Sequence, residues 1–149
     1  MKNDHYWMQA ALNLAKQAEQ ASEVPVGAVI VLQGELIGPA HNQVIASQDP
    51  SQHAEIVAIQ AACTHLSNTR LSQATLYVTL EPCLMCAGAI LQARLSRLVF
   101  GTRDFRAGVA VSILNVMSGL GAYAPVQVDE GPLQAECAAC LTSFFQGLR

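Results

Sequence analysis

Four residues of the sequence combine side chains that can bind a metal ion with one that can move a proton. His53 and Glu55 lie two positions apart in "HAE", and Cys83 and Cys86 lie three apart in "PCLMC". One imidazole and two thiolates supply three zinc ligands and leave the fourth tetrahedral position to water, which is typical of catalytic sites. Zinc lowers the pKa of such a water toward about 7. Glu55 is then predicted to carry the protons of the reaction.

These side chains can converge only where two helices begin. Residues two apart on a helix point about 200° away from each other, so His53 and Glu55 cannot share a helical face. They can meet only beyond the end of a helix, where the first residue keeps its freedom as a cap. Cys83 and Cys86 do share a face at the start of their own helix, where a thiolate is favoured. The spacing therefore predicts two helix N-termini that meet over one metal ion.

A lone C-x-x-C motif is weak evidence, because structural zinc sites, redox pairs and buried cysteines share it. Cys137 and Cys140 repeat this spacing in "CAAC", inside a predicted helix and without a histidine nearby. We interpret this pair and Cys63 as core packing. H-x-E followed by P-C-x-x-C is far more specific and is the signature of zinc-dependent nucleobase deaminases. A structural zinc site would not need Glu55.

The elements expected around these motifs alternate between strand and helix after an initial hairpin. Apolar spacing predicts a helix over 4–21 with Asp4 as its cap, and a second helix from His53 onward. Two more are expected over 83–93, with Pro82 at the first position, and from Leu133 to about Phe145. Five strands are predicted at 24–32, from 36, at 74–81, at 97–101 and at 126–130, with a loop at 43–52. This order indicates an α/β fold, its sheet covered on both faces and its third and fourth strands parallel.

Composition narrows the function classes. The 149 residues suit a single domain, 1–149, and are 52% hydrophobic and 13% charged, about half the usual charged share. A chain this apolar is expected to bury surface against a partner. The longest apolar runs are too short to span a membrane, and the N-terminus does not resemble a signal peptide, so we expect a soluble cytoplasmic protein. The odd number of cysteines, five, argues against a disulfide framework.

The charge distribution is less decisive. A net charge of −3, from 8 basic and 11 acidic residues, speaks against a nucleic-acid binder. Half of the basic residues nevertheless fall within positions 94–106, where a local patch could attract phosphate. We favour RNA contact by this cluster over an ordinary solvated surface. Its members are Arg94, Arg97, Arg103 and Arg106.

Four stretches of sequence carry a resemblance to a known family. They are "EVPVGAVIV", "HAEIVAI", "ATLYVTLEPCLMCAGAI" and "RLVFGTRD". In this order and spacing they resemble the bacterial tRNA-specific adenosine deaminases of the cytidine deaminase-like superfamily, from about Tyr6 to Phe145. The resemblance implies a three-layer α/β/α fold with a mixed five-stranded sheet, one Zn²⁺ per subunit and a homodimer. It also implies hydrolytic conversion of adenosine to inosine at the wobble position of an arginine tRNA, bound through its anticodon stem-loop.

The resemblance also implies roles for residues outside the metal site. Asn42 would hydrogen-bond the flipped purine, the backbone amide of Ala54 would steady the charge that develops at C6, and Asp104 would meet the anticodon loop. For two of these residues a simpler interpretation is also open. Asn42 is equally suited to capping the end of a strand. Asp104 is equally suited to a solvated surface pair with its neighbouring arginines.

Departures from the family pattern leave two other functions open. After Asp104 the family usually has a lysine and, further on, a glycine and histidines, whereas this chain has Arg106 and Val111 and lacks the later histidines. Together with the net charge, this permits a deaminase of a free nucleobase or nucleoside, such as guanine or adenosine. A zinc-stabilised binding module without activity is a third possibility, against which Glu55 and the open ligand position argue.

Overall fold

The computed structural model describes residues 1–148 and places five helices and five strands among them. The helices are α1 (Asp4–Gln20), α2 (Val44–Ser47), α3 (Ala54–Leu66), α4 (Leu84–Gln92) and α5 (Gln134–Gly147). The strands are β1 (Gly27–Leu32), β2 (Glu35–His41), β3 (Thr75–Leu80), β4 (Arg97–Thr102) and β5 (Gln127–Glu130). All five predicted strands and all four predicted helices are present, and α2 is an addition.

The strands form one mixed sheet in the order β2-β1-β3-β4-β5. β1 pairs antiparallel with β2 and β3, whereas β3, β4 and β5 run parallel. The helix α4 makes the crossover that a parallel β3–β4 pair requires. The predicted parallel pairing is therefore confirmed, and the carboxyl ends of β3 and β4 lie side by side at one edge of the sheet.

The sheet is buried on both faces, which explains why its central strands are apolar throughout rather than alternating. In β1, Ala28 and Ile30 join a core shared with α3 and α4, while Val29 and Val31 join a second core shared with α1 and α5. The predicted three-layer α/β/α arrangement is confirmed. Within residues 1–148, no helix is both long enough and apolar enough to cross a membrane.

A glycine fixes how closely α1 approaches the sheet. A Cβ atom added to Gly27 would lie 1.9 Å from the carbonyl oxygen of Ala11 and 2.6 Å from the amide nitrogen of Ala15. Both of these atoms belong to the backbone of α1 and cannot rotate away. The helix therefore packs directly on the start of β1, and any larger residue would force the two elements apart.

Two local predictions were wrong at the N-termini of helices. Asn3, not Asp4, caps α1, because its side chain accepts a hydrogen bond from the amide of Tyr6. Asp4 lies in the first turn instead and pairs with Arg97. Pro82 is not the first residue of α4; it precedes the N-cap residue, and the helix begins one position later than predicted.

The predicted loop at 43–52 contains the short helix α2. The buried carboxylate of Glu23 accepts hydrogen bonds from the amides of Ile45 and Ala46 at 3.0 and 2.7 Å. These bonds satisfy backbone donors that a helix N-terminus leaves without partners. The stabilising group lies more than twenty positions upstream, so the local sequence gives no sign of it.

The cysteines outside the H-x-E and P-C-x-x-C motifs pack in the two cores, as predicted. Cys137 is buried against the face covered by α1, and Cys140 lies partly buried beside it. Cys63 packs against the opposite core. Burial raises the pKa of Cys137 to about 12, so this thiol stays protonated.

Candidate active site

Two helix N-termini meet at the carboxyl edge of β3. His53 is the N-cap residue of α3, with φ −68° and ψ 157°, and Cys83 is the N-cap residue of α4, with φ −77° and ψ 176°. Both residues have extended backbone, so their side chains are free to turn off the helix end. Cys86 lies in the first turn of α4 on the same side. The predicted convergence of two helix starts is confirmed, although Cys83 is the N-cap residue of α4 rather than part of its first turn.

The three predicted metal ligands lie within 4.8 Å of one another, measured between the histidine nitrogen and the two sulfur atoms. The Sγ atoms of Cys83 and Cys86 are each 3.6 Å from Nδ1 of His53. In a tetrahedral zinc site, bond lengths near 2.0 Å to nitrogen and 2.3 Å to sulfur separate those atoms by about 3.6 Å. The donor set therefore fits zinc in type, number and spacing.

The two thiols of the cluster differ in acidity. Hydrogen bonds from Cys86 and then His53 lower the pKa of Cys83 to about 4. The neighbouring Cys83 sulfur and burial raise the pKa of Cys86. A bound cation favours the second thiolate as well, because metal binding releases the protons of its ligands.

Glu55 is buried beside this cluster, with 4% of its surface exposed. Burial raises its pKa to about 7, and the negative charge of Cys83 adds to the effect. A carboxyl group with a pKa near the working pH can both take up and release a proton, which a general acid–base catalyst must do. Its position in the first turn of α3 directs it to the same space as His53.

A pocket of about 230 Å³ opens next to these side chains. The walls include His53, Glu55 and the three residues that the family resemblance assigns to substrate contact, Asn42, Ala54 and Asp104. The sequence-predicted site residues are therefore brought together around one cavity. The remaining ligand candidate, the second cysteine of the P-C-x-x-C motif, is fully buried and does not line the pocket.

Asn42 and Asp104 have defined surroundings. Asn42 is 8% exposed; its Nδ2 donates to the carbonyl of Val24 at 3.3 Å, and its Oδ1 accepts from the amide of Val44 over a long 3.4 Å. Asp104 accepts hydrogen bonds from two backbone amides that follow it, at 3.0 and 3.2 Å. Within residues 1–148 it forms no ion pair, so the interpretation as a surface pair is wrong.

Three of the four clustered arginines contact other side chains of the same protein. Arg97 donates to two carboxylates at 2.7 and 2.8 Å, and Arg103 pairs with Glu130 at 2.7 Å. Arg94 lies 5.0 Å above a tyrosine ring. Of these four arginines, Arg106 alone is exposed and forms no ion pair within residues 1–148. Ion pairs within the chain thus occupy two of the four arginines, Arg97 and Arg103, and phosphate contact by the cluster stays a prediction.

One buried residue of the pocket was missed by sequence reasoning. Glu81 is 2% exposed and lines the pocket from the end of β3. Burial alone would raise its pKa, but hydrogen bonds from Ser112, Val111 and Asp104 hold the pKa below its usual range. A single acidic residue directly after an apolar strand is the signal that could have identified it.

Comparisons with known proteins agree with this geometry. The family model of the cytidine and deoxycytidylate deaminase zinc-binding region matches residues 1–102. The tRNA-specific adenosine deaminase of Bacillus subtilis (strain 168) is 42% identical over 149 residues, which cover 100% of this chain and 92% of that protein. A solved structure from studies of A-to-I editing by tRNA:A34 deaminases at the wobble position of transfer RNA has a TM-score of 0.88 and 40% identity, covering 92% of this chain and 99% of that one. The guanine deaminase structure from Bacillus subtilis has a TM-score of 0.66 and 38% identity, covering 68% of this chain and 66% of that one.

Proposed function

The chain belongs to the cytidine and deoxycytidylate deaminase family, and we propose that it converts adenosine to inosine at the wobble position of a tRNA by zinc-dependent hydrolysis. Within that family it belongs to the tRNA-specific adenosine deaminases. The observation that carries the activity is the convergence of a three-ligand cluster and a buried glutamate on one pocket. A structural metal site has no use for that carboxyl group.

The chain's own side chains have separate tasks in this reaction. His53, Cys83 and Cys86 would hold one Zn²⁺ per subunit through Nδ1 and the two sulfur atoms. When bound, zinc supplies a water molecule acidified to near neutral pH. Glu55 would accept the proton of that water and deliver protons to the purine ring nitrogen and then to the leaving amine. Its raised pKa suits both directions of transfer.

The pocket walls support selection of a single purine. At about 230 Å³ the pocket is small, so a base from an RNA loop must leave its stack to enter. The amide of Ala54 is at the first position of α3, where it has no acceptor within the helix, and can donate to charge developing on the base. Asn42 offers amide atoms for a hydrogen bond to the purine, and Asp104 would meet the flanking nucleotide at the rim.

A groove beside the pocket favours an RNA loop over a free base as the substrate. It measures about 510 Å³ and shares four wall residues with the pocket, including Asp104. Phe105 and Phe145 line it and are 75% and 47% exposed, and Arg106 also lines it. Exposed aromatic rings with a cation nearby are the surface on which unstacked bases bind.

A homodimer is the assembly we propose. Apolar side chains are exposed at the start of α4 and in the segment before β5, and Leu84, Ile113, Leu114 and Leu120 are each at least half exposed. A second copy of the chain would cover these residues, consistent with the hydrophobic share of 52%. Because bacterial tRNA is located in the cytoplasm, the enzyme would act there.

The test is deamination of a synthetic anticodon stem-loop with a wobble adenosine, beside free adenosine, adenine, cytidine and guanine. We expect inosine in the stem-loop and negligible turnover of the free compounds. A matched stem-loop with the adenosine one position away from the wobble site controls for position. Turnover of guanine with an unchanged stem-loop would contradict the proposal and support the second candidate, a free-base deaminase, which the likeness to guanine deaminase favours.

A further inference from the structure

The carboxylate of Glu81 accepts hydrogen bonds from several backbone amides in the segment that follows β4. One oxygen accepts from the amide of Asp104 at 3.0 Å. The other accepts from the amides of Ala110, Val111 and Ser112 at 3.0, 2.8 and 2.9 Å. The Ser112 hydroxyl also donates to this carboxylate. Four backbone amides and one hydroxyl thus converge on a single side chain.

The segment 104–112, which we call the clamp loop, closes tightly around this carboxylate. A Cβ atom added to Gly108 would lie 2.4 Å from the carboxyl carbon of Glu81 and 2.6 Å from the carbonyl oxygen of Asp104. The amide of Val109 donates to the carbonyl of Pro82 at 3.1 Å. Backbone amides turned toward one point form a concave anion-binding site, and here a side chain of the same protein fills it.

No basic side chain within residues 1–148 forms an ion pair with this buried acid. The amides and the hydroxyl are the groups that contact its charge directly. Hydrogen bonds to an ionised acceptor are about twice as strong as neutral ones. Glu81 therefore holds both ends of the loop, through the amide of Asp104 at one end and the amides of Ala110, Val111 and Ser112 at the other.

The location of the carboxylate connects this loop to the metal cluster. Glu81 is two positions before Cys83, and the clamp loop supplies Asp104 and Ala107 to the wall of the pocket. We propose that Glu81 is a positioning residue, which fixes the clamp loop against the metal-binding end of α4 and thereby sets the shape of the substrate pocket. The expected effect on the kinetics rests on the proposed function, whereas the expected effect on the loop conformation does not.

Hydrogen exchange tests the structural part without any substrate. Glu81→Gln keeps the size of the side chain but replaces one acceptor oxygen with a donor group. We expect amides in peptides covering 104–112 to exchange about tenfold faster or more, because they lose a charged acceptor. Glu23→Gln is the matched control, since Glu23 is equally buried and accepts two amides of α2. Its effect should be confined to peptides covering 43–48. Unchanged exchange over 104–112 in Glu81→Gln would overturn the inference.

Kinetics and metal content separate pocket positioning from an effect on the metal. For the stem-loop substrate, Glu81→Gln should raise KM about tenfold and leave kcat within about threefold of wild type. Zinc content should stay at the wild-type value. Loss of zinc together with activity would show that Glu81 supports the ligands rather than the loop. If the wild-type protein does not deaminate the stem-loop, the proposed function fails, while the exchange result still decides the role of the loop.

A milder pair of variants keeps the test informative if Glu81→Gln does not fold. Ser112→Ala removes only the hydroxyl donor and leaves all four amides in place. It should accelerate exchange over 104–112 and raise KM by smaller factors in the same direction. Ser112→Thr keeps the hydroxyl and should restore both values. Equal exchange over 104–112 and equal KM values in the two Ser112 variants would refute the role proposed for Glu81 in positioning the clamp loop.

Discussion

Replacement of Glu55 by glutamine is the perturbation that tests the chemistry most directly. General acid–base catalysis by a positioned side chain contributes about 10²- to 10⁴-fold. Glu55 would act in both proton transfers, and the other two carboxylates in the pocket wall, Glu81 and Asp104, already accept backbone amides. No group can therefore replace it. We expect kcat to fall by about 10⁴-fold, which corresponds to about 5 kcal/mol of transition-state stabilisation.

The fold should survive this change. Burial raises the pKa of the Glu55 carboxyl group to about 7, and glutamine has the same shape as the neutral form of that group. The thermal midpoint and the zinc content of Glu55→Gln should therefore match those of the wild type. Single-turnover deamination of the stem-loop with excess protein isolates the chemical step from product release. Glu35→Gln, a change at the exposed first residue of β2, serves as the control.

A fall of less than about tenfold in kcat, with zinc retained, would refute the proton-transfer role. Loss of zinc would be equally damaging, since the geometry assigns Glu55 no place among the three ligand atoms. Only an inactive, folded and zinc-loaded variant agrees with the reasoning.

Three further outcomes follow from named contacts. Cys86→Ala removes one of three ligands and should reduce bound zinc, measured by elemental analysis, to about a tenth of wild type or less. Asp4→Asn should lower the free energy of unfolding by about 1 kcal/mol at pH 7, because it breaks a bidentate pair with Arg97. That pair lowers the pKa of Asp4 in the folded protein. The pair therefore contributes to stability above the pKa of Asp4 in the unfolded chain, near 4, and this contribution is lost as the pH falls through the pKa of Asp4 in the folded protein. Gly27→Ala should destabilise the protein by about 3 kcal/mol in urea unfolding, because its Cβ would meet the carbonyl of Ala11.

Each of these outcomes has a control. Cys140→Ser should retain all of its zinc, and stoichiometric metal in Cys86→Ala would overturn the ligand assignment. The difference in stability between wild type and Asp4→Asn should narrow when urea unfolding is repeated at pH 3; a constant difference would exclude the ion pair as its cause. Gly147→Ala, whose Cβ meets no atom within 4 Å, should leave stability nearly unchanged. A similarly small effect of Gly27→Ala would mean that α1 can move off the sheet.

The metal cluster could be predicted because short-range geometry determines it. Spacings of two and three residues decide which side chains can share a helical face, and a helix start leaves its cap residue free. His53 occupies such a cap, as predicted, whereas Cys83 was expected within the first turn of its helix and is the N-cap residue instead. The order of strands and helices likewise follows from local apolar patterns, and the parallel β3–β4 pair follows from the helix between them.

Contacts made by polar side chains over long distances in sequence could not be predicted. Glu23 stabilises α2 from more than twenty positions away, and Glu81 binds amides 23 to 31 positions downstream. The cap of α1 was predicted at Asp4 and lies at Asn3, because either side chain can cap a helix and Asp4 is engaged by the distant Arg97. Sequence periodicity describes burial, not the choice of partner for a buried charge.

The fate of the clustered arginines changes the expected mode of RNA binding. Arg97 and Arg103 are neutralised by carboxylates of the same chain, and Arg106 is the cation of the groove that has no ion pair within residues 1–148. For a single-stranded loop, the logarithm of the binding constant falls linearly with the logarithm of the salt concentration, with a slope of about −0.7 for each phosphate that the protein neutralises. One or two phosphate contacts therefore predict a shallow slope, between about −0.7 and −1.4. Stacking on Phe105 and Phe145 and capture of one base in the pocket would then supply most of the affinity. A slope steeper than about −3 in a salt titration of stem-loop binding would show that phosphate contacts, and not the aromatic groove, dominate.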